Sequence, residues 1–361
     1  MDELIEYKCA KCAGTLIFDS NLQKLRCEYC GSTFTAEELK ELQKELFQKK
    51  PKDYERTESE KRFWSEQEAK GIFSYVCESC GGEIIGEETT AATSCPFCGN
   101  PVVMKGNLSG ELRPQFVLPF KLDKKAAKAA LKKHFQGKKL LPKVFSSENH
   151  LDEIKGIYVP YWLFDVDTDT TASFKATNSS SWTSGDYRYT ETKTYNVTRA
   201  GNVDFLGIPA DGSKKMDDTL MESIEPFDYS ALEKFNAAYL AGFLADKYDV
   251  AKEECKDRVE ARAKRSAVDA LRRTVTGYSS VTPQDSTVNI KHKDPKYCLL
   301  PVWLLHTSWQ GEHYLFAMNG QTGKFVGDLP VDKRRYWAYF ARNLLLVGGA
   351  VAAVLSLIMS M

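Results

Sequence analysis

Polar and apolar residues alternate over long stretches of this chain, and the period changes only a few times. The segments GIYVPYWLFDVDTDTTASFKAT (156–177) and RYTETKTYNVTRA (188–200) are rich in β-branched and aromatic residues at a period of two, which predicts two long strands. QFVLPF (115–120) reads as a short strand. HYLFAMNGQTGKFVGDLP (313–330) reads as a hairpin turning at NGQTG. Helical periodicity takes over in KKAAKAALKKHF (124–135), with Asp123 as its N-cap, and in residues 251–276, with Gly277 as the C-cap. ALEKFNAAYLAGFLADKY (231–248) reads as a core helix too short to span a bilayer. YVPYWLF (158–164) and LLPVWLL (299–305) echo each other, each with a proline two residues before a Trp-Leu pair. Proline inside a strand predicts an edge or a bulge, and two copies predict two related half-sheets.

Near the start of the chain, TAEELKELQKELFQKK (35–50) carries a capping box, Thr35 with Glu38, and an apolar stripe of Leu39, Leu42, Leu46 and Phe47. Pro51 ends that helix before a more charged one. The chain closes on RNLLLVGGAVAAVLSLIMSM, whose Leu344–Met361 stretch is eighteen residues without a charge. As a helix it would measure about 27 Å, against a hydrocarbon core of about 30 Å. Lys333, Arg334, Arg335 and Arg342 precede it, together with Tyr336, Trp337, Tyr339 and Phe340. That is the expected dress of a single-pass membrane helix with the head in the cytoplasm. Gly348, Ala352, Ser356 and Ser360 form a small-residue ridge suited to helix pairing.

Ten cysteines change the picture. Eight fall in two sets of CxxC, fourteen residues, CxxC: Cys9, Cys12, Cys27, Cys30 and Cys77, Cys80, Cys95, Cys98. Each member of the second set lies 68 residues after its counterpart, and Tyr7/Tyr75, Gly14/Gly82, Ile17/Ile85 and Gly31/Gly99 keep that offset. The module is duplicated. MDELIEYKC has no apolar leader, which points to a reducing compartment, where such spacing means metal rather than disulfides. Four thiolates close a tetrahedron around Zn²⁺ and leave no open position, so two structural Zn²⁺ are expected and no catalytic metal. Redox-active CxxC pairs would need a thioredoxin-like βαβ setting that the pattern lacks.

Charge decides less. Lys plus Arg and Asp plus Glu are 49 each in 361 residues, so no global basic field argues for nucleic acid. The second module has Glu78, Glu83, Glu87 and Glu88 and no Lys or Arg between Ser74 and Val103. Such a surface repels phosphates and favours protein docking. His134, His150, His292, His306 and His313 keep no ligand spacing. Asp165, Asp167 and Asp169 share one strand face, readable as a cation site or as a solvated face. Lys124, Lys125, Lys128, Lys132, Lys133, Lys138, Lys139 and Lys143 make a basic patch, a solvated helix face or, beside a membrane, a surface for anionic lipid. Cys255 and Cys298 stand alone as buried thiols. Nothing here points to an enzyme.

The expected fold class is α+β: zinc ribbon 1 (1–35), a helical spacer (36–73), zinc ribbon 2 (74–104), a central domain with antiparallel strands (112–331), and a juxtamembrane segment with a transmembrane helix (336–361). CGGEI, CPFCGN, LPFKLDKKAA, YVPYWLF, LLPVWLL and NGQTGKFVGDLP together resemble the bacterial double-zinc-ribbon membrane proteins of the Bacillus YdjG type. Members of that group are often labelled TFIIB-type zinc-ribbon or replication-restart helicase (PriA-like) proteins. The resemblance implies a membrane-anchored adaptor connected with PspA-like and flotillin-like envelope-stress proteins. The alternative is a membrane-tethered, nucleic-acid-associated protein of replication or transcription. No Walker A loop supports the helicase label.

Overall fold

The computed structural model describes residues 16–27, 31–35, 37–38, 62–66, 68–87, 94–108, 110–146 and 153–360. The helical spacer expected at 36–73 lies largely outside them. Its start is present, with Thr35 N–H donating to Glu38 Oε2 at 2.8 Å and Glu38 N–H to Thr35 Oγ1 at 3.0 Å.

Strands β1 (Leu16–Asp19), β2 (Lys24–Cys27) and β3 (Thr33–Phe34) form a small antiparallel sheet of their own. A second sheet of twelve strands takes in everything else. Its members are β4 (Ile72–Val76), β5 (Glu83–Glu87), β6 (Val103–Asn107), β7 (Phe116–Val117), β8 (Lys155–Ser184), β9 (Tyr187–Asp211), β10 (Glu233–Lys234), β11 (Leu244–Asp246), β12 (Ser280–His292), β13 (Lys296–Trp309), β14 (Glu312–Asn319) and β15 (Phe325–Val326). Four α-helices are described: α1 (Lys124–Phe135), α2 (Asp218–Ser223), α3 (Lys256–Arg273) and α4 (Lys333–Ser360). Asp123 caps α1 by accepting from Ala126 N–H at 2.7 Å.

The centre of the sheet is the antiparallel pair β8–β13, formed by the two echoed segments, with Pro160 opposite Leu299 and Pro301 opposite Tyr158. The prolines do not lie at a sheet edge. β8 pairs in parallel with β11 up to Tyr158 and antiparallel with β9 from Tyr161. β13 pairs in parallel with β7 up to Leu299 and antiparallel with β14 from Val302. Each proline therefore sits where its strand changes partner, a position at which its missing N–H leaves no gap in a ladder. Each proline carbonyl is met there by a glycine: Gly212 N–H at 2.8 Å on Pro160, Gly320 N–H at 2.9 Å on Pro301. The following tryptophans match as well, Trp162 Nε1–H donating to Val250 O and Trp303 Nε1–H to Leu122 O. The two halves are related by an approximate two-fold in the sheet.

Both faces of this centre are covered, which is why the echoed segments are continuously apolar rather than alternating. Tyr158, Trp162 and Phe164 face one core with Phe120, Phe243 and Trp303, where Phe120 and Phe243 stack with centroids 4.2 Å apart. Ile157, Val159, Tyr161 and Leu163 face the other, with Met221 and Leu300. Beyond the body, β8 and β9 continue as a long arm flanked by β12 and backed on one face by α3 through Phe174, Leu271 and Val275.

Three expectations are corrected. Residues 231–248 form no helix. They make 3₁₀ turns at Tyr229–Ala231 and Ala237–Leu240 and the short strands β10 and β11. Asp228 and Asn236 cap the turns through Ser230 N–H and Ala238 N–H, and Gly242 takes φ +80°, which ends any helical run. The second cysteine module is not a separate bead, because β4, β5 and β6 extend the main sheet. Finally, no helix among the described residues is long and apolar enough to cross a membrane. Helix α4 opens on Lys333, Arg334, Arg335 and Arg342. Four of its first ten residues are therefore charged. The transmembrane helix, the tail anchor and the single-pass cell-membrane placement fall with that. The ridge Gly348, Ala352, Ser356, Ser360 loses its bilayer setting.

Candidate metal centre

Cys77, Cys80, Cys95 and Cys98 converge so that all four sulfurs lie within 4.8 Å of one another. Cys77 Sγ is 3.5 Å from Cys98 Sγ, and Cys80 Sγ is 3.7 Å from Cys95 Sγ. A tetrahedron with Zn–S bonds of about 2.3 Å has edges of about 3.8 Å, so the spacing fits a tetrahedral soft cation. Two identical knuckles set it. Cys77 N–H donates to Gly82 O at 3.0 Å and Gly81 N–H to Cys77 O at 2.7 Å; Cys95 N–H donates to Asn100 O at 2.7 Å and Gly99 N–H to Cys95 O at 3.0 Å. Gly81 and Gly99 hold φ at +72° and +78°, the left-handed region that an L side chain enters only at a cost.

The electrostatics also call for a cation. Burial works against the Cys77 thiolate, but N–H groups of Cys80 and Ser79 and the Cys98 thiol hold its pKa down to about 7. Burial pushes the Cys80 and Cys95 thiols up. Four thiolates so close together are stable only around a positive ion.

The sequence did not mark the groups that hold the knuckles from outside. The Lys215 ammonium donates to Cys80 O, and the Lys155 ammonium donates to Ser94 O at 2.8 Å, next to Cys95. Glu83 is met by Lys105 at 2.5 Å and Lys247 at 3.0 Å. The acidic module is thus partly neutralised, by Lys105 on its own strand β6 and by Lys155, Lys215 and Lys247 from later parts of the chain.

Of the first module, Cys27 is described, while Cys9, Cys12 and Cys30 lie outside the described residues. Cys27 N–H donates to Ser32 O at 2.8 Å and Gly31 N–H to Cys27 O at 3.0 Å, with Gly31 at φ +70°. That is the knuckle pattern of Cys95 repeated.

Other candidates resolve plainly. Asp165 accepts from Lys296 at 2.7 Å and Asp167 from Lys293 at 2.9 Å, so lysines take the places a cation would need. Cys255 and Cys298 are buried, which raises their thiols to about 11 and about 12. His306 and His313 stand with ring centroids 5.3 Å apart on the β13–β14 hairpin, His292 pairs with Glu260 at 2.9 Å, and His150 lies outside the described residues. The lysines of α1 occupy its solvent side, opposite the buried Ala127, Leu131 and Phe135.

An uncharacterised protein of Bacillus subtilis strain 168, YdjG, is 35% identical to this chain over 338 residues, covering 94% of each. The chain belongs to the YdjG family. No family model and no solved structure matches it. With 94% of each chain covered, the metal centre and the two-fold body are features to compare across this family.

Proposed function

We propose that the protein is a non-enzymatic zinc-ribbon adaptor, whose cysteine modules fix surfaces that recruit partner proteins. One observation carries the reading: the cluster at Cys77, Cys80, Cys95 and Cys98 is a closed four-sulfur set. A tetrahedral ion held by four thiolates has no position left for water or substrate, so the metal's role is to shape the module. The knuckle hydrogen bonds at Cys27 support a second Zn²⁺ in the first module, held by Cys9, Cys12, Cys27 and Cys30. PspA-like and flotillin-like proteins are the partners this reading names first.

The test is crosslinked affinity purification of the full chain, wild type against Cys77→Ser/Cys80→Ser. Recovery of PspA-like or flotillin-like proteins that is lost in the variant supports the adaptor. Recovery of replication or transcription proteins, or a salt-sensitive shift of DNA by the purified chain, would replace it with the nucleic-acid reading. The lysines gathered around the second module make that alternative worth the measurement.

A further inference from the structure

The arm has two outer edges, and they are built differently. Among the described residues, β12 and β9 each pair with β8 alone. The β12 edge carries Pro283 and a register shift between Pro283 and Asp285, the two devices that natural sheets use to stop an edge from pairing. Along β9 both devices come late, a register shift opposite Phe164/Val166 and then Pro209, and the outer stretch carries neither. From Tyr187 to Val203 it has no proline and an unbroken register against β8, and the first irregular backbone comes at Gly207, φ +70°. Over those residues a full row of backbone donors and acceptors faces outward.

The arm also outruns its support. β12 stops pairing at Thr177, whereas β8 and β9 continue to Ser184 and Tyr187, seven residue pairs further. At about 3.3 Å per residue this overhang reaches about 23 Å as a two-stranded ribbon, which is marginal alone in water. Its aromatic residues share one face by strand alternation, the face that α3 covers nearer the body. Trp182 lies opposite Tyr189 with stacked rings, and Tyr187 and Tyr195 continue the row. Their exposures run from 41% to 71%, far above a supported sheet face.

We propose that the free edge of β9 pairs antiparallel with β9 of a second copy, about a two-fold axis at Tyr195. This register overlaps the whole unblocked edge. It sets Glu191 opposite Arg199 of the second copy, and the symmetry makes that pair twice. It also sets Tyr187 opposite Val203 and Tyr189 opposite Gly201, an aromatic beside a small or β-branched residue on the same face. Isologous pairing closes after two copies, so the edge is satisfied without growing a fibre. The adaptor would then present its cysteine modules in pairs.

Sedimentation of the full zinc-loaded chain across a wide concentration range tests this. A dimer is expected for the wild type. Glu191→Arg places like charges opposite each other twice and is expected to weaken the dimer at least about tenfold. Glu191→Arg/Arg199→Glu is expected to restore it, with circular dichroism unchanged throughout. Hydrogen exchange gives a second reading: amides of residues 187–203 should slow with rising concentration, while those of β12 should not. A wild-type monomer at every concentration, a Glu191→Arg dimer of unchanged strength, or a charge swap that fails to restore association overturns the proposal.

Discussion

The two cysteine modules come from one repeat, yet they are fastened to the body by different means. The first keeps its own three-stranded sheet and leans on the body through side chains. Phe18 packs on Tyr239 and Phe243 with centroids 5.4 and 6.4 Å away, and Asn21 Nδ2 donates to Asp123 Oδ2 at 2.7 Å. One backbone bond joins them among the described residues, Phe18 N–H to Ala241 O at 3.3 Å. The second is continuous with the main sheet, since β5 pairs with β11 at Ile84–Asp246 and Ile85–Ala245. Identical knuckles therefore end in different tertiary roles. What differs lies outside the repeat: β11, Lys155, Lys215 and Lys247 all belong to later parts of the chain.

The largest expected effect breaks the two modules at matched positions. Cys95→Ser opens the second metal set, frees the β4–β6 end of the main sheet, and should cost more than about 4 kcal/mol of global stability in urea. Cys27→Ser should release β1–β3 while leaving the main unfolding transition close to its wild-type midpoint. Equal losses would mean that the first module is as deeply joined as the second. A smaller effect concerns the outer lysines alone. Lys215→Met removes the donor on Cys80 O and should weaken metal affinity about 10- to 100-fold in a chelator competition, as loss of a group bracing a ligand does. Since the outer lysine contacts described here fall on the second module, an unchanged affinity would show that its attachment does not reach the metal.

How far the sequence foretold this follows from which interactions are local. The CxxC spacing encodes its own knuckle, so the four-sulfur centre at 77–98 was readable in full. Helix α1 and its Asp123 cap and the long strands β8 and β9 were readable for the same reason, whereas the pairing of the two Pro-x-Trp echoes with each other, a contact between distant residues, was not. Residues 231–248 were not. Nearly every residue from Ala237 to Asp246 is buried whichever way it points, so the segment has the composition of a core helix without its one-sided stripe. The prolines misled because partner changeovers inside a sheet leave the same sequence mark as an edge. The C-terminal run misled because the uncharged stretch was taken as a span with charged residues outside it, whereas α4 begins at Lys333 and carries four charges in its first ten residues.

Asp246 sharpens the comparison through pH, because it sits on the strand that carries the second module. It is 1% exposed, hydrogen-bonded by Ser213, and burial holds its carboxyl well above the ordinary value of 3.8. A raised folded pKa means that the folded chain binds the proton more tightly than the unfolded one. This contribution is complete below about pH 4. It declines as pH rises through the folded value. Asp246→Asn removes the proton from the balance, so the variant should gain stability relative to wild type as pH goes from 5 to 8. Parallel pH curves for the two proteins would show that the junction is not under that strain.

The smallest effect compares one backbone position in two settings. Gly31 and Gly99 hold the same knuckle at φ +70° and +78°. A Cβ at Gly31 meets nothing within 4 Å, so Gly31→Ala costs only the left-handed strain, about 1 kcal/mol. At Gly99 the same strain is joined by His306 Nδ1 at 3.4 Å, a side chain from β13 across the module boundary. Gly99→Ala should therefore cost more than Gly31→Ala, and Gly99→Ala/His306→Ala should bring the Gly99 cost back toward the Gly31 value. If the double variant brings no relief, the knuckle feels only its own backbone. The second module's attachment would then lie in the β5–β11 pairing and the lysines rather than in contacts at the metal turn.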